Sequence, residues 1–317
     1  MTIVRALLCS ITLIWSLMSV AEETQPSVQP ITLLSQMTRA MANLNYSGVV
    51  AILKNEKLDT LKYFHSVQNG VEQERLLSLN SPLREVVRNG EVVSCLFISN
   101  NSAIIDHKPV GQSFLQDFPK DPEILDKAYV ITLEEEAQIA MQAADVILLK
   151  PRDQYRYTRK LWLAKDTHLP LKVEVQDFTG GTLEQLVFTE LQVLGSLNNV
   201  ELKIDPQQVQ HIHEFEDVGL DKLPITLKNI PTGFEKKFFN RTHLHSANTQ
   251  VHQLLLSDGL SSVSIYMEKM PKNYHVGLQS SGAVNSLSRV IDDYLIIVMG
   301  DVPAATTDFI AQGISFH

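Results

Sequence analysis

The residues best placed to do chemistry are histidines at two-residue spacing: His211-x-His213 followed by Glu214, and His243-x-His245 with His252 nearby. Residues i and i+2 of a strand share one face, so each pair could offer two imidazoles to one ion. Both pairs lie in or beside loop-like segments and lack the H-E-x-x-H spacing of a helical zinc site, so they are read as solvated histidines. The neighbouring carboxylates Asp292-Asp293 and Glu134-Glu135-Glu136 point apart in a turn or strand and are read as solvated acidic turns. Gly259-Leu260-Ser261-Ser262-Val263 lacks the closing glycine of a nucleophile elbow, and no Gly-rich phosphate loop precedes a helix. The sequence therefore predicts a binding protein rather than an enzyme, with no metal and no cofactor.

One strand carries more information. Along Tyr155–Leu163, alternation puts Arg156, Thr158, Lys160 and Trp162 on one face and Tyr155, Tyr157, Arg159, Leu161 and Leu163 on the other. Basic groups snorkelling over aromatic rings give the plain reading. The functional one is an amphiphile site, in which the rings meet an acyl chain and the cations meet phosphate, with Tyr155, Arg156, Tyr157, Lys160 and Trp162 as candidates.

The elements that would position these groups follow from periodicity. Ile31, Leu34, Met37, Met41 and Leu44 recur at helical steps behind Pro30, which predicts a helix burying one face. From Tyr46 the period is two. Asn69-Gly70 and Asn89-Gly90 separate apolar runs and predict tight hairpins. The stretch Thr132–Ala144 fits helix or strand and stays open. Strands are expected over Tyr155–Leu163, Leu169–Gln176 and Thr182–Val193, so the first part of the chain reads as a helix on an antiparallel meander. Periodicity fades between Leu197 and Pro231, where Asp205-Pro206, acidic residues, Pro224 and Pro231-Thr232-Gly233 accumulate, and 211–230 is the expected linker between a large unit (22–210) and a small unit (231–317). The small unit predicts strands over Phe234–Arg241, Thr249–Leu256, Ser261–Glu268, Ser286–Ile291 and Leu295–Met299, then a helix opened by Pro303. The fold class is α+β in both units.

Compartment and charge bound the partners. Arg5, an apolar run from Ala6 to Val20 and Ser19-Val20-Ala21 resemble a signal peptide over 1–21, so export is expected. Cys9 would leave with it, and Cys95 alone cannot form an internal disulfide. A net charge of −9 gives no bulk attraction for nucleic acid, so an anionic partner must meet a local basic patch. Phe234, Phe238 and Phe239, beside the linker, are candidate aromatic anchors for a protein partner.

The runs Pro151-Arg152-Asp153-Gln154-Tyr155-Arg156-Tyr157, Leu161-Trp162-Leu163, Asp166-Thr167-x-Leu169-Pro170-Leu171-Lys172 and Leu183-Glu184-Gln185 resemble the large domain of the RseB/MucB family. Pro231-x-Gly233-Phe234, Leu256-Ser257-Asp258-Gly259-Leu260-Ser261 and Gly300-Asp301-Val302-Pro303-Ala304-Ala305-Thr306 resemble its small C-terminal domain. At Gln142-Ala143 a glycine-bearing turn would be expected and is missing. The resemblance implies an unclosed antiparallel barrel like the lipoprotein carriers LolA and LolB, with helices across its opening. It also implies a periplasmic negative regulator of the sigma-E envelope-stress response. Such a protein binds the periplasmic part of an RseA- or MucA-type anti-sigma factor, shields it from site-1 proteolysis, and lets go on meeting mislocalised lipopolysaccharide or lipidated protein. A LolA-type lipid carrier is the alternative, although it has no need of residues 231–317; self-association as a homo-oligomer is left open.

Overall fold

The protein is described here by a computed structural model covering residues 29–317 apart from 81–83, 90–91, 98–102, 107, 110–117, 196–208, 214–215, 245–248 and 272. The expected signal segment, the hairpin residue Gly90, and Glu214 and His245 lie outside the described residues.

Helix α1 (Pro30–Asn43) comes first. It has no side-chain N-cap, no acid in its first turn and no base in its last, so packing holds it. Leu33, Leu34, Met37 and Met41 are buried, each contributing roughly 1.5–3 kcal/mol against about 1 kcal/mol for a missing cap.

Thirteen strands of one sheet follow: β1 (Asn45–Lys54), β2 (Lys57–Gln68), β3 (Val71–Ser78), β4 (Arg84–Asn89), β5 (Val92–Phe97), β6 (Ala103–Asp106), β7 (Lys108–Pro109), β8 (Tyr129–Ile139), β9 (Gln142–Pro151), β10 (Thr158–Ala164), β11 (Pro170–Gln176), β12 (Thr182–Leu194) and β13 (Val209–His213). Their order is β13-β6-β5-β4-β3-β2-β1-β12-β11-β10-β9-β8, with β7 beside β5, and among the described residues only β13 with β6 runs parallel. Among the described residues the end strands β13 and β8 do not pair, so the barrel is unclosed there. Helix α1 touches both β2 and β8, strands far apart in the sheet order, and so lies across the concave face. Beneath it Tyr46, Val50, Tyr63, Ile147, Leu149, Leu161 and Phe188 form the core. A buried polar cluster ties the nearby strands together. Tyr63 Oη donates to Glu74 at 2.5 Å, and Arg88 donates to Glu74 at 2.9 Å and to Glu72 at 3.0 Å. His65 Nδ1 donates to the Leu44 carbonyl at the end of α1, 2.7 Å away.

The second sheet contains β14 (Glu216–Asp217), β16 (Glu235–Leu244), β17 (Thr249–Ser257), β18 (Ser262–Lys269), β19 (Gly277–Ser281), β20 (Val284–Ile291) and β21 (Tyr294–Gly300), in the order β14-β16-β17-β18-β21-β20-β19. Helix α2 (Ala304–Gln312) packs on β20 and β21, and β15 (Ile225–Leu227) pairs with the last strand, β22 (Ile314–Phe316). Residues 211–230, expected as a linker, therefore carry short strands and a turn at Leu220–Lys222. Among the described residues no helix is long and apolar enough to cross a membrane.

The open segment Thr132–Ala144 belongs to the β8–β9 hairpin. Its turn is Ala140-Met141, with φ of 48° and 63°, so two side-chain-bearing residues occupy the left-handed region where Asn-Gly is favoured. Ala140→Asn with Met141→Gly is expected to raise stability by about 1–2 kcal/mol, measured as a higher urea midpoint at unchanged slope; an unchanged or lower midpoint would refute the left-handed turn.

Candidate functional site

The candidate site lies where the two units meet, and it is built around a buried guanidinium. Strand β10 begins only at Thr158, because the chain before it is bent: Asp153 accepts the Tyr155 backbone N–H at 2.9 Å and also pairs with Arg156. The expected face carrying Arg156 with Lys160 and Trp162 is corrected accordingly. Arg156 is 0% exposed and points between the units. Its Nε donates to Asp258 Oδ2 at 2.5 Å, its Nη2 donates to the Thr232 carbonyl, and the Phe234 ring lies 4.7 Å from the guanidinium carbon. Burial is the largest single influence and works against the charge of Arg156, but the field and hydrogen bond of Asp258, together with Tyr129 and Asp153, outweigh it and the pKa is raised. Tyr129, at 0% exposure, donates to the same Asp258 oxygen at 3.1 Å; burial first, and then the Asp258 charge, push its pKa far up.

Asp258 is held by the β17–β18 turn. Its other oxygen accepts the backbone N–H groups of Leu260 at 2.9 Å and Ser261 at 2.7 Å, which shapes the turn and leaves Oδ2 for the large unit. Leu260, 3% exposed, buries its side chain in the large unit's core beside Leu125. Gly259 sits at φ 97°, and a Cβ there would lie 3.1 Å from Pro119, so the turn is pressed against the large unit. The rest of the interface repeats the logic. Arg159 Nη2 donates to Asp301 at 2.5 Å, Asn285 Nδ2 donates to the Tyr157 hydroxyl at 3.0 Å, and Thr306 Oγ1 donates to the Tyr155 carbonyl at 2.8 Å. The Tyr155 ring stacks on Phe309 at 4.7 Å.

The candidate residues thus separate by role. Tyr155, Arg156, Tyr157 and Phe234 join the two units, while Phe239 is 1% exposed in the small unit's core and stacks on His252 at 5.5 Å. Phe234 and Phe239 are therefore not free anchors; Phe238 is half-buried. Lys160 and Trp162 lie on the other side of β10, with Trp162 in a small apolar cluster with Val146 and Leu171. Lys172 Nζ lies 4.4 Å and Lys160 Nζ 5.4 Å from the Trp162 ring centre, and the two lysines pair with Glu174 and Glu134. His252 is half-buried, and burial first, then Arg241, hold its pKa below 6.5. Among the described residues no group of three His, Cys, Asp or Glu side chains could hold a metal. Sequence reasoning did not find Tyr129, Arg159, Asp258, Leu260, Asn285 or Asp301 as interface residues; the only signal was that Asp258, Leu260 and Asp301 fall within the family-like runs.

Asp258→Ala would strand a buried guanidinium and is expected to cost about 3 kcal/mol, the lower end for a broken buried pair because Asp153 still touches Arg156. Arg156→Met with Asp258→Leu is expected to cost less than the sum of the two single changes. A double-mutant cycle by urea unfolding checks this, and additive losses would show that the pair is not coupled.

Comparison with known proteins bears on the whole chain. The MucB/RseB N-terminal domain pattern matches residues 29–210 and the MucB/RseB C-terminal domain pattern matches residues 221–315. The sigma-E factor regulatory protein RseB of Salmonella typhimurium is 29% identical over 295 residues, 90% of each chain. The sigma factor AlgU regulatory protein MucB of Pseudomonas aeruginosa is 26% identical over 295 residues, 89% of each chain. The solved MucA/MucB complex of Pseudomonas aeruginosa shares the fold at a TM-score of 0.72 and 24% identity, covering 92% of this chain and 99% of that one. A crystal structure of MucB aligns at a TM-score of 0.67 and 26% identity, over 90% of this chain and 97% of that one. With both domain patterns matched in order along it, the chain belongs to the MucB/RseB family.

Proposed function

We propose that this protein is a periplasmic negative regulator of a sigma-E-type envelope-stress response. It binds the periplasmic part of a membrane-bound anti-sigma factor of the RseA or MucA type and shields it from site-1 proteolysis. Its relatives are named as regulatory proteins of sigma factors, and a solved relative is a MucA/MucB complex. The observation that carries the reading is the buried junction of the two units. A lipid carrier needs only the large one, whereas here the small unit's Asp258 and Leu260 are built into the large unit's core. The protein works by binding, not catalysis.

The test is a purified mixture of this protein, the periplasmic part of the anti-sigma factor from the same organism, and the site-1 protease. Cleavage is expected to slow at least tenfold with the full chain present. Unslowed cleavage, together with recovery of many lipoproteins from envelope extract, would favour the carrier.

Release is proposed to follow binding of lipopolysaccharide or lipidated protein. With Arg156 buried, the cations left for a headgroup are Lys160 and Lys172 beside Trp162. Charge-assisted bonds to phosphate are worth about 1.5–3 kcal/mol each. Lys160→Glu with Lys172→Glu is therefore expected to weaken release by a phosphorylated lipid at least tenfold and to spare release by a neutral lipopeptide. Equal loss with both would indicate general damage, and no loss with either would move the headgroup elsewhere.

A further inference from the structure

Exposed sheet ends invite strand addition, and proteins guard them with charge, bulges or brevity. The large sheet's end strand β8 is guarded in that way: a bulge between Glu134 and Ala137 sets Glu135 and Glu136 out of register, and Lys160 and Lys165 pair with Glu134 and Glu136. At one end of the second sheet β14 is two acidic residues long. The other end, β19, has none of these protections. Gly277–Ser281 is Gly-Leu-Gln-Ser-Ser, with no charge, no proline and no register shift against β20, and all five residues are exposed.

Side chains around this edge are apolar and open. An apolar row crosses the sheet through Phe239, Leu254, Ile265, Val298, Leu287 and Leu278, each paired with the next. The first four are at most 1% exposed, Leu287 packs on the same core, and Leu278 ends the row at 54% exposure. Just before it Met270, Tyr274 and Val276 are also exposed. The charge is local too. In a chain of net charge −9, residues 269–291 contain no Asp or Glu but include Lys269, Arg289 and, outside the described residues, Lys272; Glu268 and Asp292-Asp293 bound the stretch, and Glu184 of the large unit lies near Gly282.

We propose that β19 accepts an extended, acidic segment of the protein partner by strand addition, with an apolar residue beside Leu278 and carboxylates facing the basic stretch. This rests on the reading that the partner is the anti-sigma factor's periplasmic part. Main-chain hydrogen bonds along the edge would supply affinity, and the row ending at Leu278 would set register. Charge selects the occupant: two copies pairing through β19 would bring two acid-free basic stretches together, whereas an acidic segment complements one. The segment would run beside Gly277–Ser280 toward the β1–β2 turn, where Asn55 donates to Ser281 at 2.6 Å.

Hydrogen exchange on the full chain, with and without the anti-sigma factor's periplasmic part, tests this. The outward-facing amides of Gly277–Ser281 are expected to slow at least tenfold in the complex. Leu278→Lys is expected to weaken binding at least tenfold at unchanged thermal stability, and Lys269→Glu to weaken it further at low salt. Binding with unchanged exchange at β19 would overturn the inference and leave the regulator reading standing. No binding at all would sink both. Slow exchange before the partner is added would assign the edge to this chain's own segment, or to a second copy if it depends on concentration, and either outcome overturns the proposal.

Discussion

The contact between Arg156 and Asp258 is the constraint on which the arrangement of the two units depends. Two charges 102 residues apart are withdrawn from water, a loss that their attraction offsets only when geometry is good and the remaining donors and acceptors are satisfied. Here they are. The guanidinium meets two carboxylates and a carbonyl, and Asp258 accepts two backbone N–H groups besides Arg156 and Tyr129. An apolar contact of the same area would tolerate sliding, whereas this network is complete only in one relative orientation.

Leu260 shows what that orientation achieves. A single side chain from the small unit completes the large unit's core, so the core under α1 and the junction share residues such as Tyr129 and Leu125. Among the described residues the barrel's end strands β13 and β8 do not hydrogen-bond to each other, so strand pairing there does not set how far it splays. Helix α1 bridges β2 and β8 across the concave face, and the β17–β18 turn presses on Pro119 and Ile124 beside β8. The small unit therefore acts as a brace on the open side of the sheet. On the proposed reading, amphiphile entry and domain orientation would be coupled through this one set of contacts.

Much of this was legible in the sequence wherever the signal was local. The helical spacing of Leu34, Met37 and Met41 and the Asn69-Gly70 turn each rest on residues within a few positions of one another. The failures share a different cause. Tyr155 and Arg156 read as strand because they continue the two-residue period of the run to Leu163, yet an Asp153 turn and a carboxylate 102 residues away bend the chain there. Strand β19 was invisible because an edge with five exposed residues has no reason to alternate. Thr132–Ala144 stayed open because three glutamates at a bulged edge strand mimic a helix's polar face. The site residues Asp258 and Asp301 carry no local signal of their own; only tertiary structure shows that each faces an arginine. The family itself was recognisable from short runs, several of which prove to be junction residues.

That coincidence has a physical basis. A core position tolerates any apolar side chain of similar volume, so core sequence drifts while the fold persists. A buried ion pair has no such freedom, since losing either partner strands the other in low dielectric. The runs Pro151–Tyr157, Leu256–Ser261 and Gly300–Thr306 supply Arg156, Asp258, Leu260, Asp301 and Thr306, all of which cross the junction. The runs by which this chain resembles its family are thus, in large part, the runs that join its own two units.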